Sequence, residues 1–492
     1  ILRYQFINGI LKESYKVDIN AAKGFRATLD KVLTHKVFGY LIFFLILLTI
    51  FQAIYEWSEY PMELIEGFFA SATEWAKDVM PPGVFTNLIA EGVLAGIGGI
   101  VIFIPQIAFL FLFISLLEET GYMSRVVFLM DRIMRPFGLS GKSVVPLISG
   151  TACAIPAVMA TRTIENWKER LITILVVPFT TCSARLPVYL IIIALVIPEG
   201  SFLGLSFKAL TLMLLYLLGF VAAIVSAVIL NKILNIKSRS FFVVEMPNYK
   251  LPLLKNVGYT VLEKTKSFVF GAGKIILAIS VILWFLGSNG YSDEFKNAEE
   301  IVTQKIQNEG FSTYSDVYIK NKLAEMEAQS EVVATEETLV QNNKELEERA
   351  MNQEIASYKL EHSYMGYMGK AIEPIVRPLG YDWKIGIAVL TSFAAREVFV
   401  GTLATIYSVG NDEEETIKYR MSAEVNPITN KPLFNLASGI SLLLFYAFAM
   451  QCVSTLAVVK RETNSWKWPL GQLVFMSLFA YIVALAAYQF LK

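Results

Sequence analysis

Long uninterrupted apolar runs constrain this chain more than any other feature. Seven stretches, at about residues 37–57, 95–117, 170–197, 207–232, 267–289, 433–457 and 468–490, are strongly apolar with few charges. About 20 such residues cross a hydrocarbon core of ~30 Å as a helix. Hydrocarbon supplies no water to backbone N–H and C=O groups, so each span must satisfy its own, and helices do so. The chain is therefore expected to be an integral membrane protein. Its hydrophobic share of 55% agrees, against roughly 45–50% in soluble domains. Zero net charge points to no nucleic acid or polyanion. The histidines, His35 and His362, lie outside the runs, and the three cysteines lack CxxC spacing. Neither a His-rich metal site nor a disulfide framework is expected.

Two further regions, about 120–163 and 364–406, are apolar but interrupted by Gly, Pro and charge. Each reads as a helical hairpin that enters the membrane and returns, or as two short crossings. Lys and Arg collect in segments 1–36, 161–170, 231–266 and 459–468, whereas 58–94 carries only Lys77 and 198–206 carries none. The excess of Lys and Arg marks the cytoplasmic side, so the N-terminus is expected inside and the C-terminus outside. Residues 290–363 form an acid-rich polar insertion on the outer side, and Glu331–Arg349 has the composition of a solvated helix or short coiled coil. The chain starts at Ile1 and reads as the later part of a longer protein.

The interrupted regions resemble each other. Gly121-Tyr122-Met123 is echoed by Gly366-Tyr367-Met368, and Met134-Arg135-Pro136-Phe137-Gly138 by Val376-Arg377-Pro378-Leu379-Gly380. With the orientation above they are inverted copies, each followed by a cysteine-bearing span, Phe179–Cys182 and Phe448–Cys452. Inverted repeats with broken helices are the construction of secondary transporters, which bind their cargo near the bilayer midplane.

Candidate chemistry gathers at these breaks. Pro156 lacks an N–H, which removes the helical partner of the Ala152 carbonyl, and Gly150 permits an unwound turn before it; Thr151 and Cys153 lie between. Pro178 and Pro187 bracket Thr180–Arg185, and Pro187 frees the Ser183 carbonyl beside Cys182. Cys452 follows Gln451 and precedes Ser454 and Thr455. Three thiols on three broken helices suit Fe(II), Zn or Cu(I) better than Na⁺, Ca²⁺ or Mg²⁺. An intramembrane charge is expensive unless paired or hydrated. Glu397, next to Arg396, is accordingly the carboxylate expected at a cation site or proton relay. Arg185 is its counter-ion or orients the Cys182 loop. Glu118, Glu119 and Asp131 read as caps or as groups meeting water. Gly141-Lys142-Ser143 has Pro136 where a phosphate-binding loop needs Gly, and no nucleotide or hydrolase constellation is found in this chain.

Gly138–Ser143, the Cys153 loop with Pro156-Ala157, Pro178 through Pro187, and Ala395-Arg396-Glu397-Val398 together resemble the membrane domain of the ferrous iron transport protein B family. Glu373-Pro374 and Arg377–Trp383 resemble that family's lead-in to its second Gate motif. The resemblance covers about 30–490 outside the insertion. It implies an all-α polytopic membrane protein with two inverted Gate-type hairpin repeats, distantly like concentrative nucleoside transporters. It implies Fe²⁺ import across the bacterial inner membrane, with Cys153, Cys182, Cys452 and Glu397 on the pathway. It further implies an N-terminal GTP-binding domain using Mg²⁺, a helical spacer ending in residues 1–36 with Arg3–Ile7 in its last helix, and an SH3-like partner, ferrous iron transport protein A. A homo-oligomer is left open, and no enzymatic activity is expected of this chain itself. The expected organisation is a first membrane half over 37–289 with repeat 1 at about 120–197, the insertion 290–363, and a second half over 364–492 with repeat 2 at about 364–457. Two departures stand out: Arg396 occupies a position where the family commonly has Lys, and Gln451 one where many members have Pro. The alternative function is a Na⁺- or H⁺-coupled carrier of an organic solute such as a nucleoside; a non-transporting scaffold would have no reason to keep Glu397 and Arg185 in the membrane.

Overall fold

A computed structural model describes residues 30–35, 37–81, 83–198, 200–202, 205–234, 249–309, 348, 350–352, 354–393, 396, 398–406, 421, 432–450 and 452–492. The expected spacer helix at Arg3–Ile7 and nearly all of Glu331–Arg349 lie outside these residues. Helix α1 (Phe38–Gln52) passes through a π-helical turn into α2 (Ser58–Val79), and α3 covers Val84–Glu119. There follow α4 (Tyr122–Met134), α5 (Val144–Ala152), α6 (Ala154–Ala160), α7 (Trp167–Val176) and α8 (Leu186–Val196). A hairpin of two-residue strands, β1 (Ser201–Phe202) and β2 (Leu205–Ser206), leads to α9 (Phe207–Ile233). Then come α10 (Leu254–Phe268), α11 (Lys274–Ser288), α12 (Asp293–Lys296) and α13 (Ala298–Glu309). The second half holds α14 (Tyr364–Val376), α15 (Trp383–Thr391), α16 (Val398–Ile406), α17 (Leu436–Phe448), α18 (Val453–Thr463) and α19 (Lys467–Leu491).

The architecture is helical, as expected. Among the described residues, Val84–Glu119, Trp167–Val196, Phe207–Ile233, Leu436–Thr463 and Lys467–Leu491 are long and apolar enough to cross a membrane, and Phe38–Ile50 and Ile276–Ser288 are shorter apolar helices. All seven expected spans therefore have a helical counterpart.

The first interrupted region is a re-entrant hairpin. Helices α5 and α6 have nine and seven residues, about 14 and 10 Å at 1.5 Å per residue, too short to traverse ~30 Å of hydrocarbon. Its two ends meet at one face, where Lys142 Nζ donates to Glu165 Oε1 at 2.9 Å. Two short crossings are thereby excluded, and the tip is Cys153, in extended backbone with φ −154°. The second hairpin has nine-residue arms, α15 and α16, joined side by side by a Thr391–Thr402 hydroxyl bond of 2.8 Å.

Side-chain contacts fix the relative orientation of the two hairpins. The four basic segments are tied together: Asp30 Oδ1 accepts from Tyr249 OH at 2.6 Å, Lys168 Nζ donates to the Asn231 carbonyl at 3.2 Å, Arg162 pairs with Glu462 at 2.6 Å, and Arg461 Nη1 reaches Ser267 Oγ at 3.4 Å. They share one face. The first Arg-Pro turn lies at that face, with Gly138 against Asn231. Helix α19 leaves the same face and runs 25 residues, about 37 Å. Its far end meets the second turn: Gly380 packs on Tyr488, and Gln489 Nε2 donates to the Pro378 carbonyl at 3.5 Å. The repeats are inverted, and the C-terminus lies opposite the basic face.

Locally the repeats match step for step. Helices α4 and α14 each have thirteen residues and end in a 3₁₀ turn, Arg135–Phe137 or Arg377–Leu379. Each turn closes on a left-handed glycine, Gly138 (φ +78°) or Gly380 (φ +87°), a conformation that a Cβ strains. One sequence correspondence is corrected. Because both helices start sixteen residues before their left-handed glycine, Tyr122-Met123 matches Tyr364-Met365, and Gly366-Tyr367-Met368 lies three residues too late. The second helix begins on the tandem Tyr364-Met365-Gly366-Tyr367-Met368, whose two Tyr-Met pairs are indistinguishable until the helix start is known.

The groups read as caps behave so. Asp131 accepts from the Gly141 N–H at 3.0 Å and pairs with Arg135 at 3.5 Å, and Glu119 accepts from the Leu253 N–H at 3.2 Å. At the same face Arg125 Nε donates to Asp30 at 2.9 Å and the guanidinium lies 4.1 Å from the Tyr249 ring centroid. Hydrogen bonding to Arg125 holds the Asp30 carboxyl below its ordinary range. Burial, with the Asp30 carboxylate beside it, pushes the Tyr249 phenol up to about 12.

Candidate functional site

Both hairpin tips face a span that is itself broken. The span containing Trp167–Val196 opens at Thr180–Cys182, and Leu436–Thr463 opens after Phe448. In repeat 1, Ser183 Oγ donates to the Ala152 carbonyl at 2.8 Å. In repeat 2, the Val453 N–H donates to the Phe393 carbonyl at 3.0 Å. In each case the residue after a cysteine ties the broken span to its hairpin tip. Gln106 Nε2 reaches Ser183 Oγ at 3.4 Å.

These bonds revise several sequence expectations. The Ala152 carbonyl lacks a helical partner because the chain breaks at Cys153, not because of Pro156, and Ser183 supplies one, so that oxygen is occupied. Pro156 sits in the first turn of α6, where a proline removes no helical bond. Pro187 does not free the Ser183 carbonyl, which accepts from the Leu186 N–H in a 3₁₀ turn. Gly150 is helical, within α5; a side chain there would collide with Thr180 Oγ1, so its smallness serves close packing and not unwinding. Thr151 Oγ1 bonds back to the Ile148 carbonyl at 2.6 Å.

The three cysteines share a position that the sequence spacing does not reveal. Cys153, Cys182 and Cys452 each stand as the N-cap of the helix that follows, at Ala154, Ser183 and Val453. Helix N-termini carry unpaired N–H groups and the positive end of the helix dipole, which favours negative charge there. None is disulfide-bonded; Cys182 is buried and the other two are half-buried. Cys452 Sγ lies 3.4 Å from Thr455 Oγ1. Among the described residues, no three His, Cys, Asp or Glu side chains gather as they would around a metal ion. The thiols are distributed over the breaks and do not form a cage.

Two buried arginines hold the second break. Helix α17 ends at Phe448, leaving orphan carbonyls among buried residues. Arg185, fully buried, donates Nη1 to the Ala447 carbonyl and Nη2 to the Ala449 carbonyl, each at 3.0 Å. Arg396, 4% exposed, donates to the carbonyls of Ala449, at 3.2 Å, and Met450. Its guanidinium lies 5.1 Å from the Tyr446 ring centroid, and Tyr446 OH donates to Ser392 Oγ at 2.9 Å. The negative end of α17 thus receives two cations, a favourable placement for charge at a helix C-terminus. Arg185 acts on the opposite repeat, and so does more than orient the Cys182 loop. Arg396 lies near enough to Arg185 for the two cations to repel each other. Glu397 and Gln451 lie outside the described residues.

Sequence reasoning passed over Tyr446, Gln106 and Glu462. Tyr446 and Gln106 look like ordinary membrane residues, and Glu462 stands within a segment, 459–468, noted only for its Lys and Arg. Glu462 is instead 5% exposed and accepts from Arg162 and Arg170.

Comparison with known proteins bears on this arrangement. A family model named Gate and described as nucleoside recognition matches residues 100–196 and 269–466, and one for the C terminus of ferrous iron transport protein B matches 212–264. The chain is 40% identical over 464 residues to the Fe(2+) transporter FeoB of Leptospira interrogans serogroup Icterohaemorrhagiae serovar Lai (strain 56601), covering 94% of this chain and 59% of the relative. It is 32% identical over 498 residues to that of Staphylococcus aureus (strain MSSA476), covering 99% and 62%. A Fe(2+) transport protein A/Fe(2+) transporter FeoB fusion protein of Porphyromonas gingivalis (strain ATCC BAA-308 / W83) is 34% identical over 490 residues, covering 99% and 54%. The chain spans about 60% of the length of the curated relatives it matches. No solved structure matches it. With a match across more than half of its residues, this chain belongs to the Gate family, and it carries the C-terminal region found in ferrous iron transport protein B.

Proposed function

We propose that this chain is the permease part of a bacterial ferrous iron importer. The observation that carries the proposal is the placing of all three thiols at helix N-termini, on one re-entrant tip and two broken spans of an inverted pair. A soft sulfur ligand suits Fe(II), and a route must hold its cargo loosely enough to release it. Successive single-thiol positions meet that demand better than a closed multi-thiol cage, as conduction through separate weak sites requires. Cys153, Cys182 and Cys452 are the proposed stations, with Ser183 tying the first two segments together. Glu397 is the proposed carboxylate of the second hairpin, and Gln451 flanks the third thiol. Relatives named as Fe(2+) transporters support the choice of ion; an organic solute finds support only in the description of the Gate model.

In this proposal the basic face is cytoplasmic and the membrane is the bacterial inner membrane. GTP hydrolysis with its Mg²⁺ belongs to a domain preceding residue 1, and residues 1–36 connect to it. The fusion protein of Porphyromonas gingivalis supports a transport protein A-like partner. The test is Fe²⁺ uptake in cells lacking other importers, using the full-length protein. Cys153→Ser and Cys182→Ser are each expected to lower uptake at least tenfold. Wild-type uptake by the double variant would refute the thiol route.

A further inference from the structure

Glu462 lies 300 residues from Arg162 in the chain, yet a single buried carboxylate gathers three guanidiniums. Arg162 donates Nε and Nη2 to its two oxygens at 2.8 and 2.6 Å, Arg170 Nη2 donates at 2.9 Å, and Arg461 Nε stands at 3.6 Å. The Glu462 side chain is 2% exposed, whereas Arg162 is 46% exposed. The elements so joined belong to different repeats. Glu462 sits on the last turn of α18, in repeat 2. Arg162 lies in the 3₁₀ turn immediately after α6, the returning arm of the first hairpin, and Arg170 lies on α7. Helix α6 also packs along α18.

The other side of that arm is open. A cavity of about 670 Å³ is lined by Lys142, Met159, Ala160 and Arg162 of the hairpin, facing Phe111 of α3 and Lys264 of α10. The returning arm therefore has a partner to hold it on one side and room to move on the other.

We infer that Glu462 is a positioning residue which latches the returning arm of the first hairpin to the second repeat, closing the basic-face approach to Cys153. The inference rests on the proposed permease route, but it concerns the hairpin and not the ion. Releasing the carboxylate lets α6 swing toward the cavity and exposes the tip. Arg162 is the moving half of the latch; Arg170, on a span, is the fixed half.

The test is the labelling rate of Cys153 by a membrane-impermeant methanethiosulfonate added at the basic face of inside-out vesicles. The full-length protein is used and modification is resolved by peptide mass spectrometry. Glu462→Gln is expected to raise that rate at least tenfold, and Arg162→Gln, at the exposed partner, severalfold. Glu462→Asp is expected to return it toward the wild-type rate, and labelling from the opposite face to stay unchanged in all three. Wild-type rates in both Gln variants would overturn the latch, and so would an equal rise from both faces, which marks general loosening. Should Glu462→Gln fail to insert, Arg162→Gln alone decides between the same outcomes. Labelling is blind to the cargo, so intact labelling behaviour with no Fe²⁺ uptake in the wild type would count against the iron route and leave the latch standing.

Discussion

The clearest energetic consequence of the fold is a coupling between Arg185 and Arg396. Arg185 makes two charged hydrogen bonds, to Ala447 and Ala449, each contributing about 1.5–3 kcal/mol. Arg185→Met therefore removes about 3–6 kcal/mol of interaction, less the relief of withdrawing a buried charge. Arg396 shares the Ala449 carbonyl, so either single variant leaves that oxygen with one donor, and only the double variant strands it. The two guanidiniums also repel each other, and each single variant gains the relief of that repulsion, which the double variant gains once. Both effects have the same sign. The double variant Arg185→Met/Arg396→Met is expected to destabilise by more than the sum of the singles, with a coupling of about 0.5–3 kcal/mol, the range for residues sharing partners. Reversible unfolding in mixed micelles across the four members of the cycle measures it. Additivity within about 0.3 kcal/mol, or a coupling of opposite sign, would refute the shared clamp.

Two further outcomes follow from particular contacts. Gly380→Ala forces a Cβ into left-handed backbone and against the Tyr488 ring; it is expected to lower the melting temperature in detergent, with partial recovery in Gly380→Ala/Tyr488→Ala, and no recovery would place the fault in the backbone alone. The Asp30–Arg125–Tyr249 node has a defined pH window. The Asp30 carboxyl is depressed from 3.8, so its contribution is present above that value and is lost as pH falls through the lower folded value. The Tyr249 phenol is raised from 10.0 to about 12, so its contribution is complete below pH 10 and fades as pH rises through about 12. The tyrosinate absorbance difference between wild type and Tyr249→Phe is expected to titrate near pH 12, and titration near pH 10 would contradict the half-buried Tyr249–Asp30 bond.

The sequence by itself determined the spans, the gathering of the basic segments and the repeat. A bilayer demands about twenty apolar residues per crossing, and the membrane's charge asymmetry writes itself into connecting loops; both constraints act on contiguous residues. Likewise the turns at Gly138 and Gly380 are readable because an Arg-Pro-x-Gly block closes a helix locally. Tertiary structure alone decided what the polar groups do. Pro156 suggests a helix break nearby, but only packing shows that the break falls at Cys153 and brings Ser183 to the Ala152 carbonyl. Arg185 and Glu462 find their partners 262 and about 300 residues away, in the opposite repeat, and no local pattern encodes such a meeting. The same holds for the N-cap placement of Cys153, Cys182 and Cys452, which follows from where each helix restarts after its break. Hydrophobic length is a property of a segment, whereas satisfying a buried charge is a property of the assembled interior.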